Sequence, residues 1–397
     1  MLNNTHIQHF RAETPGCQHR IHLNNAGAAL MPKPVIEAIG QHIQLEATIG
    51  GYEAAAQAHE AIEGFYNALA TLLNCSPANI AWVASATDAY NRALSAIPFE
   101  EDDVILTTNN DYVSNQLAFL ELQKRYGVRL IRAADLPTGG VDVDSVQALV
   151  RQYHPRLVAV TQVPTNSGLV QPVAEIGNIC AAEDVLYLVD ACQSAGQLPI
   201  DVATIQCDFL SATFRKFLRG PRGAGFLYVS DKALELGLEP LFVDLHSATW
   251  LDADFYEIRS DARRFELWER PYALVLGSRA CVEYALAIGI SDIAQRVRQL
   301  ADYSRARIAT LPGARILDEG TEHCGIVTAH FAHQKPSAIR QALDAAGINV
   351  TFPQQNNAVI DFERKGVRWA MRVSPHYYNT ETEIERLVEV LQHALPT

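Results

Sequence analysis

Short apolar runs alternate with longer amphipathic stretches over the first half of the chain. Ile80 to Val83, Val104 to Leu106, Leu157 to Thr161, Val185 to Val189 and Phe209 to Ala212 have the length and composition of strands buried on both faces. Around them, Pro34 to Glu46, His59 to Leu73, Asn115 to Tyr126, Val143 to Gln152 and Ala174 to Glu183 carry helical periodicity. Their lengths suit crossover helices between parallel strands, so the pattern predicts an α/β fold built on a parallel sheet. After Arg270-Pro271 the pattern changes. Two long helical stretches, Tyr272 to Gly289 and Ile293 to Leu311, lead into Gly325 to Phe331, Ala338 to Ala346 and Val367 to Val373. This predicts an N-terminal arm over 1–20, a large domain over 21–284 and a smaller α+β domain over 285–397.

A chain of 397 residues exceeds the usual limit of a single core, which agrees with two domains. With 32 Lys and Arg against 45 Asp and Glu, its formal charge is −13, which disfavours nucleic acid and anionic membranes as partners. No apolar run approaches the roughly 18 residues needed to cross a bilayer, and the start Met1-Leu-Asn-Asn-Thr-His lacks the pattern of a signal peptide. A soluble, cytoplasmic protein acting on small molecules is expected. Seven scattered cysteines without C-x-x-C spacing indicate neither a disulfide framework nor a metal site.

Candidate chemistry centres on Phe209-Leu-Ser-Ala-Thr-Phe-Arg-Lys216-Phe-Leu-Arg-Gly-Pro-Arg-Gly, which reads as a strand, a lysine-bearing turn and a Gly/Pro loop before a second strand. Upstream, the run Val185 to Val189 ends in Asp190-Ala-Cys-Gln193. A lysine amine for a Schiff base and a strand-end carboxylate to hold a pyridinium nitrogen are the two groups that pyridoxal phosphate (PLP) chemistry needs first. Arg215 would help lower the pKa of Lys216, and Gln193 is placed to hydrogen-bond the phenolic oxygen of the cofactor. Ser85-Ala86-Thr87 opens a helix after the strand Ile80 to Val83, a start that presents free backbone N–H groups to a phosphate. Ser211 or Thr213 could add a hydroxyl. Tyr112, after the strand that begins at Val104, can stack on the pyridine ring.

These segments, with Leu23-Asn-Asn25-Ala-Gly, Pro164-Thr-Asn166-Ser-Gly and Met371-Arg372-Val-Ser-Pro-His-Tyr-Tyr-Asn379-Thr, occur in an order that resembles the class V aminotransferases of PLP fold type I. That group contains cysteine desulfurases, selenocysteine lyases, cysteine C–S lyases and isopenicillin N epimerase-like enzymes. The resemblance implies a mostly parallel seven-stranded sheet in the large domain and a homodimer with its site at the interface. It further implies that Thr87 binds phosphate, Tyr112 stacks, Asn166 contacts cofactor or substrate, and Asp190 and Gln193 hold the ring. Lys216 would carry the aldehyde and Arg372 the substrate carboxylate, with Asn25 lining the substrate side. Arg270, in the charged and aromatic stretch Asp261 to Pro271, would reach the cofactor phosphate of the neighbouring subunit.

The chain departs from the desulfurase pattern at three points. Tyr112 and Arg215 stand where those enzymes carry histidines, and the loop Thr351 to Gly366 has no cysteine. A persulfide-forming desulfurase is therefore disfavoured, and the favoured expectation is a C–S β-lyase on cysteine or a cysteine S-conjugate. A transaminase, or an epimerase or cyclase of the same family, is the alternative. A non-catalytic PLP-binding module is least expected, since no basic helix-turn-helix accompanies the chain. A Rossmann nucleotide binder lacks its G-x-G-x-x-G after the first strand.

Overall fold

The computed structural model describes residues 2–395. Seven strands form the main sheet: β1 (Ile80–Val83), β2 (Val104–Thr107), β3 (Arg129–Arg132), β4 (Leu157–Thr161), β5 (Leu186–Asp190), β6 (Phe209–Thr213) and β7 (Gly225–Val229). Their order across the sheet is β1-β7-β6-β5-β4-β2-β3, and β7 alone runs antiparallel to its neighbours. The expected mostly parallel seven-stranded sheet is thus present. Parallel strands need cover on both faces, and alternate residues supply it. Val158 and Val160 face one core with Tyr187, Val189 and Leu210, whereas Leu157 and Ala159 face the other with Leu188 and Phe209. On that second face lie α1 (Ala86–Ala96) and α2 (Val113–Tyr126), through Ala89, Tyr90, Leu94 and Phe119.

The edge strand β3 escaped the pattern reading because its sequence Arg-Leu-Ile-Arg is not continuously apolar. Its residues are only half-buried or exposed, and charged ends protect an edge from further pairing. The hairpin Ala248–Asp252 with Phe255–Ile258 was also unanticipated, since it is exposed along most of its length and its apolar residues cover no core.

A second, antiparallel sheet joins Ala314–Ile316, Val327–Phe331 and Met371–Val373. Helices Ile290–Ala309, Pro336–Ala345 and Glu381–Ala394 cover it with Ile308, Ile339, Leu343, Leu387 and Leu391. The chain near residue 21 belongs to this core: Ile21–His22 pair in parallel with Ile348–Asn349, and the Leu23 carbonyl accepts from Ser374 N at 2.8 Å. This threading carries the segment Asn24 to Gly27 between the two cores. Among the described residues no single helix is long and apolar enough to cross a membrane.

Gly225 sets the distance between the sheet and the start of α1. It pairs with Val83 and Thr213 at the strand ends, and a Cβ there would lie 2.6 Å from the Ser85 carbonyl carbon and 2.9 Å from Ala86 N. Backbone cannot yield as a flexible side chain can. Gly225→Ala is therefore expected to destabilise the protein by about 1–3 kcal/mol. Denaturant unfolding checks this, and a wild-type midpoint would show that the helix start has room to move.

Candidate active site

The strands β4, β5 and β6 end side by side, with Thr161 opposite Asp190 and Asp190 opposite Ser211 in the sheet register. Lys216 follows β6 in a turn closed by Arg219 N donating to the Lys216 carbonyl at 2.9 Å. Its side chain returns over the strand ends, where Nζ donates to Cys192 Sγ at 3.2 Å and lies 6.0 Å from the centre of the Tyr112 ring. Burial pushes the Lys216 amine below its ordinary pKa, opposed by Cys192, and Arg215 adds to the lowering. The shift is towards the neutral, nucleophilic form.

Asp190 is held from two sides. Oδ1 accepts from Cys192 N at 2.8 Å, and Oδ2 accepts from Asn115 Nδ2 at 3.0 Å. The same Asn115 amide donates to Asp111 Oδ1 at 3.0 Å, so one side chain bridges two carboxylates. Asp111 also accepts from Thr161 Oγ1 at 2.5 Å, Tyr112 N at 2.7 Å and Gln116 Nε2 at 2.7 Å. Burial raises the pKa of both aspartates, while these hydrogen bonds oppose the rise. Sequence reasoning missed Asp111, Asn115 and Thr161. The available signal was Asp111 four residues before Asn115 across a helix start, a spacing that places both side chains on one face.

On the opposite wall, Arg372 is 5% exposed. Nη1 donates to the Thr165 carbonyl at 3.0 Å and Nη2 to Asn24 Oδ1 at 3.4 Å. Burial, then the nearby Arg215, depress its pKa to about 10. Gln193 Nε2 ties this wall together, donating to the Ala26 carbonyl at 3.1 Å and to Thr165 Oγ1 at 3.3 Å. Asn166 Nδ2 donates to the Asn357 carbonyl at 3.0 Å, which holds the cysteine-free loop against the site. Four buried polar atoms here have no partner among the described residues: Ser211 Oγ, Gln193 Oε1, Asn166 Oδ1 and Arg372 Nε. Since buried polar groups are ordinarily satisfied, such a cluster marks where a polar ligand would be met.

Other predicted positions are engaged within the protein. Ser85 caps α1 by accepting from Asp88 N at 3.1 Å, leaving Ala86 and the exposed Thr87 at the first turn. Thr213 Oγ1 donates to the Ala224 carbonyl at 3.1 Å. Asn25 is fully buried: its amide donates to the Ser374 carbonyl at 2.8 Å and its oxygen accepts from Tyr378 at 2.5 Å, so it welds the two cores, and its neighbour Asn24 faces Arg372. Arg270 pairs with the buried Glu266, which also accepts from Tyr66, His246 and the backbone N–H of Trp82 on β1.

Residues 21–387 match the aminotransferase class-V family, and the chain therefore belongs to that family of enzymes. A probable cysteine desulfurase from Methanothermobacter thermautotrophicus is 28% identical, with 96% of each chain covered. A probable hercynylcysteine sulfoxide lyase from Mycobacterium tuberculosis is 26% identical over 94% of this chain and 89% of its own. Among solved structures, the cysteine desulfurase CsdA from Escherichia coli superposes with a TM-score of 0.90 at 23% identity, covering 99% of this chain and 98% of its own. This likeness shows a shared fold.

The raised pKa of Asp190 has a consequence for stability. The folded state holds that proton more tightly than the unfolded chain, so the stability it contributes is present below the usual aspartate pKa and lost as pH rises through the folded value. Asp111, Lys216 and Cys192 face the same carboxylate. Ligand-free Asp190→Asn should accordingly gain stability relative to wild type as pH rises from about 4 towards 7. Unfolding midpoints of both proteins across that range test this, and a difference independent of pH would show that the carboxyl is not perturbed.

Proposed function

We propose that this enzyme is a PLP-dependent C–S β-lyase acting on cysteine or a cysteine S-conjugate. The observation that carries the choice of reaction is the loop held against Asn166. It reaches the site at Asn357 and contains no thiol between Thr351 and Gly366, so it has nothing to accept a sulfur atom from the substrate. Similarity to both a desulfurase and a sulfoxide lyase supports sulfur-bearing amino acids as the substrate class.

The residues fit the cofactor on the unpartnered atoms already described: a buried hydroxyl, two amide oxygens and a guanidinium nitrogen would meet its polar groups, and the buried Lys216 amine would meet its aldehyde. Bound there, PLP supplies an electron sink for the carbanion left when an α-amino acid loses its α-proton. Asp190, buttressed by Asn115, would hold the pyridine nitrogen in its protonated form, and Tyr112 would stack on the ring. Backbone N–H groups of Ala86 and Thr87, in the turn that follows the cap Ser85, would receive the phosphate at the helix start, with Ser211 or Thr213 adding a hydroxyl. Gln193 would hydrogen-bond the phenolic oxygen of the ring, and Asn166 would contact cofactor or substrate. Arg372 grips the substrate α-carboxylate through paired N–H donors, and Lys216 takes the proton from the α-carbon. The Cβ–S bond then breaks with its electron pair leaving on sulfur. Overall, the conjugate and one water become pyruvate, ammonium and a thiol.

Two copies are inferred to associate. Trp250 and Phe255 on the exposed hairpin, with Phe242 and Leu245 near it, are 78%, 57%, 80% and 70% exposed, the kind of apolar surface that marks an interface. Arg270 would then approach the second site. All seven cysteines are free thiols, which suits the proposed cytoplasmic location.

Incubation of the holoenzyme with cysteine and S-substituted cysteines is expected to release pyruvate and ammonium in equal amounts. Alanine with persulfide would make it a desulfurase, and amino transfer to an added oxo acid would make it a transaminase. Lys216→Ala should lower turnover by about 100- to 10,000-fold. Turnover near wild type in that variant would remove the lysine from the mechanism.

A further inference from the structure

Two guanidinium groups face the site without a carboxylate partner. Arg215, half-buried, donates through Nη1 to the Gly27 carbonyl, and its own carbonyl accepts from Ala29 N at 2.8 Å. Arg372 donates to Asn24 Oδ1 at 3.4 Å and leaves Nε unpartnered. Asn24 and Gly27 belong to one turn, closed by Gly27 N donating to the Asn24 carbonyl at 3.0 Å. That turn is tight enough that a Cβ on Gly27 would lie 2.6 Å from Asn24 Oδ1. Both arginines are therefore anchored to the same four residues. Among the described residues neither forms an ion pair with Asp or Glu, unlike Arg11 and Arg296, which pair with Glu383 and Glu381. Asp190 does not neutralise them, because its oxygens are directed to Asn115 and Cys192 N. The lowered pKa of Arg372, caused in part by Arg215, shows the same crowding of positive charge.

One α-carboxylate occupies one guanidinium fork. A second cation beside it, uncompensated and partly desolvated, is favourable only if the ligand brings a second negative group. We propose that Arg215 determines specificity, and that the substrate is an amino acid whose side chain ends in a second anionic group, a carboxylate or an oxidised sulfur acid. This deepens the lyase reading and rests on it for the reaction. Arg372 takes the α-carboxylate, and Arg215 takes the distal anion on the sulfur substituent, which departs with the thiol.

The test compares S-carboxymethylcysteine with its uncharged isostere S-carbamoylmethylcysteine in the holoenzyme, following pyruvate. The acid should exceed the amide in kcat/KM by about 10- to 100-fold. That ratio should collapse towards one in Arg215→Gln and be partly restored in Arg215→Lys. Calorimetry of succinate against its monoamide succinamate reports the same preference without turnover. Pyruvate from both substrates at equal rates would overturn the anion pair and leave the lyase reading intact. Pyruvate from neither would count against the lyase reading, and the succinate preference would then decide the anion pair alone. Loss of PLP from Arg215→Gln with an unchanged acid-to-amide ratio would assign Arg215 to the cofactor phosphate and also overturn the proposal.

Discussion

The geometry of the site depends on one buried arginine. Arg219 is 1% exposed and sits in the turn that presents Lys216, with its backbone in the left-handed region at φ 61°. A non-glycine residue holds that conformation only where its surroundings over-determine it. Here they do. Its guanidinium reaches Thr14 at 2.5 Å, the Leu30 carbonyl at 2.9 Å and the Tyr377 hydroxyl at 2.5 Å, and lies 4.4 Å from the centre of the Tyr378 ring. The N-terminal segment, the lysine turn and the C-terminal core thus meet on a single side chain. Arginine suits the position because its planar cation spreads donors in several directions while stacking on aromatic faces.

The Tyr377–Tyr378 pair extends this constraint to the substrate wall. Tyr378 donates to Asn25, and the adjacent His376 contacts the Phe217 carbonyl at 2.8 Å, one residue beyond the lysine. Burial drives the His376 pKa well down, so the ring is neutral and joins the backbone without adding charge beside Lys216. Arg372 lies on the strand that leads into this aromatic run. Its position relative to Lys216 is consequently fixed by the same packing that fixes Arg219, although the two residues belong to different cores.

The central strands, and the places of Asp190 and Lys216 at their ends, were legible in the sequence because each follows from local pattern. A buried parallel strand must be apolar, so the charged residue and turn that follow such a run mark where it stops. The relation of Asp111 to Asp190 was not legible, because it depends on Asn115 turning across from β4 and β5, a contact made by tertiary placement. Asn25 shows the converse. Its motif suggested the substrate side, but complete burial and a full set of protein partners leave its amide joining the cores, while Asn24, one residue earlier, meets Arg372. Period and turn chemistry cannot decide which of two adjacent asparagines faces inward.

A shared fold narrows the chemistry without deciding it. At 23% identity the superposition on a desulfurase covers nearly the whole chain, so the backbone on which Lys216, Asp190 and Arg372 stand here is a fold common to both. What the fold leaves free is the identity of side chains at a few exposed turns of that scaffold. Asn357 shows this plainly: its backbone carbonyl, not its side chain, is the group that Asn166 holds, so the loop can be docked on the site by any sequence. Docking and chemistry are separable there: on the proposed reading, a loop without a thiol can sit against the site and take no part in accepting sulfur. Lys216 after β6, Asp190 at the end of β5 and Arg372 on the strand Met371–Val373 owe their places to the sheets and their packing, not to that loop.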